Sequence, residues 1–424
     1  MPKILHFGLG NFHRAHQAVY TQLCNEQTPQ DPWRIIGVSL RSAKMRDQLA
    51  PQDFDYTLVI RDGITTQLQT VSVHDDCLVA PHDTPRIIDQ IADPEVAIIT
   101  LTITEKGYHL APEGGLDTGD AAIIEDQQGA AKTIYGLLSK GLTKRDNAAP
   151  LTILSCDNLS DNGGTLARAF AQFAPHLARR IGTHLRFASS MVDRITPATT
   201  DKLAQFVADQ GGLAAAPVET ERFTQWAIED NFAGPRPDWA AVGAQIVPDV
   251  VPFEIRKLRM LNGAHSYLAY AGILAGHRYV HQAIEDQTLR QGAQDLMREA
   301  AETLPPDTRG DAHIYAAELI ARFENPHLHH ELRQIAMDGS KKLPPRLFST
   351  WTARKMQGLG SPAVEAACKA WVDFVRGELE AGRALDDPLF FAAHQTFRNS
   401  SADLDHVLLT KIAAPKTLIR RLLA

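Results

Sequence analysis

The apolar run Ile4-Leu-His-Phe7, closed by Gly8-Leu-Gly10 and followed by a helical stretch from Asn11 to His16, constrains this chain most. A strand, a glycine turn and then a helix is the opening of a dinucleotide-binding βαβ unit. Gly8 stands where the tight turn is needed. Gly10 stands where backbone N–H groups would approach a pyrophosphate at the positive end of the helix. The third glycine of a GxGxxG pattern is missing, because Arg14 or Ala15 is near its place. The glycines alone therefore fit an ordinary strand-to-helix turn as well.

Further runs extend the pattern. Arg34–Leu40 reads as a second strand. An NAD-binding unit needs an Asp or Glu near its end for the ribose 2′-hydroxyl, but Leu40-Arg41-Ser42 stands there. Arg41 either pairs with a 2′-phosphate, as in NADP, or is a solvated loop arginine. Tyr56–Arg61, Asp62-Gly63 and Thr65–Val73 read as a hairpin inserted into the doubly wound pattern. Glu95–Ile103 is continuously apolar, as at the centre of a parallel sheet. With Thr102 near its end and Thr104 just past it, the strand leads into polar residues where such sheets bind ligands. Pro150–Asn158 is another buried strand; Asn158 caps a helix or donates its amide to a substrate oxygen. Leu185–Met191 reads as a further strand, ending near Asp193 and Arg194, which pair with each other or face a ligand. Trp226–Val250, rich in aromatics and turns, reads as the lead-in to a second domain.

From about Pro252 the chain reads as helices: Met260–Leu274, Gln282–Leu304, Asp311–Phe323, Pro362–Ala381 and Ser401–Leu423. The expected fold is an α/β domain over residues 1–248 and an all-helical domain over residues 249–424. With 424 residues there is room for two or three domains. A net charge of −7 argues against nucleic acid or an anionic membrane as the main partner. The longest apolar runs are too short to span a bilayer. Met1-Pro2-Lys3 leads directly into a strand, so no signal peptide is expected. Four scattered cysteines without CxxC spacing predict reduced thiols, a cytoplasmic protein and no metal. His327-Leu-His329-His330 reads as solvated or capping histidines opening a helix.

The chemistry-bearing stretch is Glu254-Ile-Arg-Lys257-Leu-Arg-Met-Leu-Asn262-Gly-Ala-His265-Ser266. At about 100° per residue, His265 falls about 80° from Lys257 and about 60° from Asn262 on a helix. A group able to lose a proton beside two neutral hydrogen-bonding groups suits proton removal from an alcohol while hydride leaves the same carbon. A surface helix with scattered polar residues is the plain alternative. Asp338-Gly-Ser340 reads as a tight turn whose flanking cations, Arg333, Lys342 and Arg346, face a polar or anionic ligand or solvent.

In order along the chain, Gly8–Gln17, Thr102–Tyr108, Ser155–Asn158, Ser190–Pro197, the Lys257/Asn262/His265 segment and Asp338–Ser340 resemble the mannitol dehydrogenase family. These are long-chain, metal-independent polyol and sugar-acid dehydrogenases. The resemblance implies a Rossmann-type domain, a helical domain and a site in the cleft between them. It implies that Gly8, Gly10, Asn11, Phe12, Arg41, Thr102 and Thr104 line NAD or NADP. Lys257 matches the catalytic lysine, Asn158 and Asn262 the amides on the reacting oxygen, and His265 the substrate-orienting histidine. Glu254 matches a proton-relaying carboxylate, and Asp193, Arg333 and Lys342 match substrate contacts. The implied activity interconverts a polyol and a ketose of the mannitol/fructose type. Reduction of fructuronate is the alternative, and a non-catalytic nucleotide-binding protein is the distant one. Oligomeric state stays open, with a monomer allowed.

Overall fold

The apolar runs of the first half become strands Lys3–Phe7 (β1), Arg34–Ser39 (β2), Tyr56–Asp62 (β3), Thr65–Val71 (β4), His74–Val79 (β5), Val96–Leu101 (β6), Leu151–Ser155 (β7), Leu185–Ala188 (β8), Ser190–Asp193 (β9), Val218–Glu221 (β10), Gln225–Glu229 (β11) and Gln245–Val247 (β12). The structure, a computed structural model, describes residues 2–63, 65–391 and 404–423. It divides into two compact units, Met1–Val251 and Pro252–Ala424.

Six strands of the first unit form one parallel sheet in the order β5-β2-β1-β6-β7-β8. Numbered among themselves, these strands run 3-2-1-4-5-6, and the order reverses between β1 and β6, the crevice where doubly wound sheets bind ligands. Phe7 pairs with Val38 of β2 on one side and Leu101 of β6 on the other, so the three carboxyl ends finish level. Alternation divides the core. Leu5, Phe7, Ile99 and Leu101 pack with Ile87, Ile91 and Leu137 on one face. Ile4, Ile35, Ile98 and Leu154 pack with Ala15, Val19, Trp226 and Trp239 on the other. Each such aliphatic side chain taken from water contributes about 1.5–3 kcal/mol.

Several elements differ from the expectations. Strand β5 was not expected, because His74-Asp-Asp-Cys-Leu-Val lacks an apolar run. Leu185–Met191 is not one strand. It breaks at Ser189, whose N–H donates to the Glu229 carboxylate at 2.9 Å, and β9 leaves the main sheet to pair antiparallel with β11. Trp226–Val250 is no lead-in; Trp226 and Trp239 are fully buried in the first unit with ring centroids 4.7 Å apart. The β3–β4 hairpin gains β10 as a parallel third strand. Arg194, expected to pair with Asp193 or face a ligand, is engaged by backbone: it donates to the carbonyls of Glu221 and Ala15.

The second unit is built of helices, among them Val251–Arg256 at its boundary, Asn262–Leu274, Ala312–Phe323 and Pro362–Glu380. The run Gln282–Leu304 is divided at Asp286, whose carboxylate accepts the N–H of Thr288 and Leu289 and starts a new helix at Gln287. In the last run, Ser401–Asp403 lie outside the described residues. The rest is two helices, Leu404–Lys411 and Lys416–Leu422, separated at Ala413 (φ 56°) and Pro415. The histidine cluster does not open a helix; it forms the connection ahead of Leu332–Ala336. Asp338 turns the chain in the left-handed region, but Gly339 and Ser340 already belong to the helix Gly339–Leu343. No helix among the described residues is long and apolar enough to cross a membrane.

Candidate active site

In the first unit the level ends of β1 and β6 are bound together by side chains. Gly8 has φ +98°, and a Cβ there would lie 2.1 Å from the Thr102 carbonyl oxygen, so only glycine fits. Its N–H donates to Val38 O at 2.9 Å, and the Thr102 hydroxyl donates to Gly8 O at 2.9 Å. The His6 ring touches the same carbonyl at 3.1 Å through Nε2 and Thr100 Oγ1 at 2.8 Å through Nδ1. Behind it, His13 stacks on His6 with centroids 3.3 Å apart and meets His74 Nε2 at 3.1 Å. Burial pushes His6 and His74 down to about 3 and His13 well below the ordinary imidazole value. All three are neutral at pH 7.

Past β6, Thr104 takes φ 66°, a conformation a β-branched residue adopts only when its surroundings impose it. The restraint is Asp157, buried at the end of β7. Its carboxylate accepts the Thr104 N–H at 2.7 Å, the Ile103 N–H at 3.0 Å and the Tyr108 hydroxyl at 2.9 Å. Asn158, the next residue, is exposed. It is not the cap of the following helix, which begins at Asn162 after Asp161.

In the second unit the helix carrying Lys257 is not continuous α-helix. Between Val251–Arg256 and Asn262–Leu274 it widens into a π turn over Lys257–Leu261, with the Asn262 N–H donating to Lys257 O, five residues back. A π turn holds one residue more than an α turn. On an uninterrupted α-helix Lys257 and Asn262 would stand about 140° apart. With the extra residue absorbed, Asn262 lies about 40° to one side of Lys257 and His265 about 20° to the other. The bulge therefore gathers the three side chains on one face more closely than α periodicity predicts.

His265 is buried, and its Nε2 has no hydrogen-bond partner. Phe323 lies against the ring at 4.7 Å between centroids, and His330 meets it edge-on at 5.3 Å. Burial drives its pKa well below the ordinary value, and the charges of His330, Arg322, Arg346 and Lys257 push the same way. Arg346, in a second π turn over Pro344–Phe348, reaches Ser266 Oγ at 3.1 Å and Asn262 O at 3.4 Å. A neutral imidazole with a buried, unpartnered nitrogen, among cations, has the capacity to hold a hydroxyl group or help receive an anion.

Family models match almost the whole chain: the mannitol dehydrogenase Rossmann domain over residues 2–241 and the mannitol dehydrogenase C-terminal domain over residues 249–413. The chain belongs to the mannitol dehydrogenase family. It is an oxidoreductase acting on CH–OH groups. It is 39% identical to D-mannonate oxidoreductase of Escherichia coli (strain K12) over 404 residues, covering 91% of this chain and 83% of that one. Among solved structures it resembles Pseudomonas fluorescens mannitol 2-dehydrogenase in ternary complex with NAD and D-mannitol, with TM-score 0.81 and 31% identity over 99% of this chain and 91% of that one. A D-sorbitol dehydrogenase in substrate-free form superposes with TM-score 0.91 at 30% identity, with the same shares covered.

The residues expected at a site of this family are placed as follows. Gly8 and Thr102 touch each other, and Thr104 is exposed just beyond them. Gly10 opens the helix Asn11–Ala15. The Asn11 amide donates to Pro197 O and Thr199 Oγ1, and Phe12 stacks on His16, so both side chains also serve the fold. Arg41 is exposed just past β2, and Asp193 is buried at the end of β9. Glu254 lies one turn ahead of Lys257. Lys342 donates to Ile335 O at 3.2 Å, and its charge reaches His330. Arg333 is exposed and pairs with Glu378 at 3.0 Å. Sequence reasoning missed His330 and Asp157. The density of the histidine cluster was the one signal for His330. Asp157 had none beyond its place before Asn158.

Proposed function

We propose that the chain interconverts a secondary alcohol of a polyol and the corresponding ketose, with Lys257 as the general acid/base in place of a metal ion. The supporting observation is the π turn that puts Lys257, Asn262 and His265 on one helix face. A lysine in water titrates near ~10.4, too high for a base at neutral pH. Closure of the site around it, with a cationic ring bound nearby, would favour the neutral amine. Lys257 then takes the hydroxyl proton, and in reverse returns it to the forming alkoxide. Asn262 donates its amide to the charge developing on that oxygen, and Asn158 is proposed as a further amide donor to substrate. His265, neutral and with Nε2 unpartnered, orients a neighbouring hydroxyl. Glu254, one turn from Lys257, passes the proton on to solvent.

A nicotinamide dinucleotide, as in the mannitol 2-dehydrogenase complex, would supply the hydride acceptor. The cradle at Gly8 fits its phosphate arm: the backbone there has no room for a Cβ, and the turn sits at the strand-order reversal. Gly10, Asn11, Phe12, Thr102 and Thr104 are proposed to line it. Arg41 in place of an acid after β2 keeps NADP alongside NAD.

A second reading has a specific basis. Arg346, Arg322 and Lys257 all place positive charge on the His265 ring, and Lys342 places it on His330. Neutral polyols do not require such a field, whereas the carboxylate of a sugar acid does. Asp193, Lys342 and Arg333 would then contribute to substrate choice. The test is turnover by the purified enzyme on mannitol, sorbitol, fructose, mannonate and fructuronate, each with NAD(H) and NADP(H). Activity on mannitol or fructose supports the first reading. Activity confined to the sugar acids replaces it with the second.

A further inference from the structure

We infer that Asp157 is a positioning residue: its carboxylate locks the turn after β6 and fixes where the neighbouring Asn158 amide begins. This rests on the proposed dehydrogenase reaction, in which both flank the reacting centre. The geometry holds Asp157 from two directions. Its carboxylate takes three donors from the β6 turn: the N–H groups of Ile103 and Thr104 and the Tyr108 hydroxyl. Its own carbonyl accepts the Asn162 amide at 2.8 Å and the Leu159 N–H at 2.9 Å. The Asn162 side chain also bonds Ser190 at both N–H and C=O, so the clamp spans the ends of β6, β7 and β9. Thr104 stays at φ 66° only while its N–H is held, since that conformation costs about 1–3 kcal/mol.

Among the described residues no cation pairs with this carboxylate, and the groups bonded to it are dipoles. The groups facing it are Tyr108, whose hydroxyl also meets Ser155 Oγ at 2.5 Å, the Cys156 thiol beside it, and Glu105, whose negative charge opposes it. Burial raises the Asp157 pKa above the usual carboxylate value, against the pull of the Ile103, Tyr108 and Thr104 hydrogen bonds. A carboxylate whose folded pKa lies above its unfolded one lowers stability at neutral pH relative to a neutral group. A role in stability alone does not account for such a charge, whereas a role in holding the turn does.

The experiment compares wild-type enzyme with Asp157→Asn and Tyr108→Phe. In Asp157→Asn, an NH2 group faces one of the backbone donors, so the turn relaxes. The expected result is a kcat lower by roughly 100-fold with a melting temperature near that of wild type, because the lost backbone bond and the removed buried charge offset each other. Amide hydrogen exchange should quicken over residues 102–108 and stay unchanged in β1 and β2. Tyr108→Phe keeps the carboxylate but removes one donor to it, so the acid limb of the kcat profile for carbonyl reduction, in which Lys257 acts protonated, should move to higher pH. Localised exchange with retained melting supports the clamp even if the wild-type enzyme turns over no polyol or sugar acid, an outcome that would instead reject the proposed reaction. Unchanged exchange over 102–108, or unchanged kcat with a lowered melting temperature, overturns the inference. If Asp157→Asn does not fold, an acid limb unmoved in Tyr108→Phe overturns it.

Discussion

The carboxyl ends of β1 and β6 in the first unit and the Lys257–His265 helix in the second hold their chemistry by opposite means. In the sheet, the backbone is the proposed binding surface, and side chains from distant strands fix it. Gly8 is held from Val38, Thr102 and His6, and Thr104 from Asp157. In the helix, the side chains are the proposed acting groups, and a change in backbone hydrogen bonding aims them: one π turn brings Lys257, Asn262 and His265 onto one face. A backbone site is therefore sensitive to the smallest added atom, and a side-chain site to the phase of its helix.

The largest expected effect tests the first half of that contrast. In Gly8→Ala, the new methyl meets Thr102 O at 2.1 Å in a left-handed residue, so the turn must open. NAD(H) binding, read by fluorescence titration, should weaken more than about 100-fold, with a loss of roughly 1–3 kcal/mol in stability. Gly10→Ala sharpens it. A Cβ there has only Gly8 O nearby, at 3.7 Å, so the free protein should keep its stability and any lost affinity reports the ligand's own approach. Equal damage from both variants would break the comparison.

The second half is tested by phase. Inserting one alanine after Leu258 adds a residue beyond the one the π turn absorbs and would swing Lys257 about 100° from its partners. Turnover should fall about 100-fold while NAD(H) affinity in the first unit holds. A smaller effect is expected from Arg346→Met, which removes a cation beside His265. KM for a sugar acid should rise about tenfold, and KM for a neutral polyol less than twofold. Equal changes for both would remove the carboxylate reading.

A separate effect is one of pH. His6, His13 and His74 are neutral in the folded first unit because they are buried. In the unfolded chain each takes a proton near ~6.5. Below that pH the unfolded state binds more protons, so stability falls as pH drops, by roughly 1 kcal/mol per unit for each imidazole, until the folded pKa is reached. Hydrogen exchange at pH 5 should show β1, β2 and β5 losing protection relative to pH 7. Equal protection at both would show that these rings titrate normally.

What the sequence made legible follows the same division. The Gly8 turn was readable because an apolar strand and a glycine leave few other outcomes, and β6 and β7 because continuous apolar runs suit a buried parallel sheet. Strand β5 was not, since His74-Asp-Asp owes its place to pairing with β2. Nor was the burial of Trp226 and Trp239, whose turn-rich surroundings resemble a linker until β9 supplies a partner for β11. The break at Asp286 was hidden because its two flanking helices share one periodicity. The residue types at the Lys257 site were plain, but their phase was not: a π turn shifts hydrogen bonds without leaving a mark in composition. His330 beside His265 is a long-range contact that no local pattern encodes.

The central claim is that Lys257 carries the proton. The most direct measurement is single-turnover hydride transfer by Lys257→Ala, read as NADH formation from the substrate that the panel identifies. The account predicts a rate lower by at least about 1,000-fold, NAD(H) affinity within about threefold of wild type, and partial recovery on adding a small primary amine. A rate within tenfold of wild type, with the usual pH dependence intact, would contradict it.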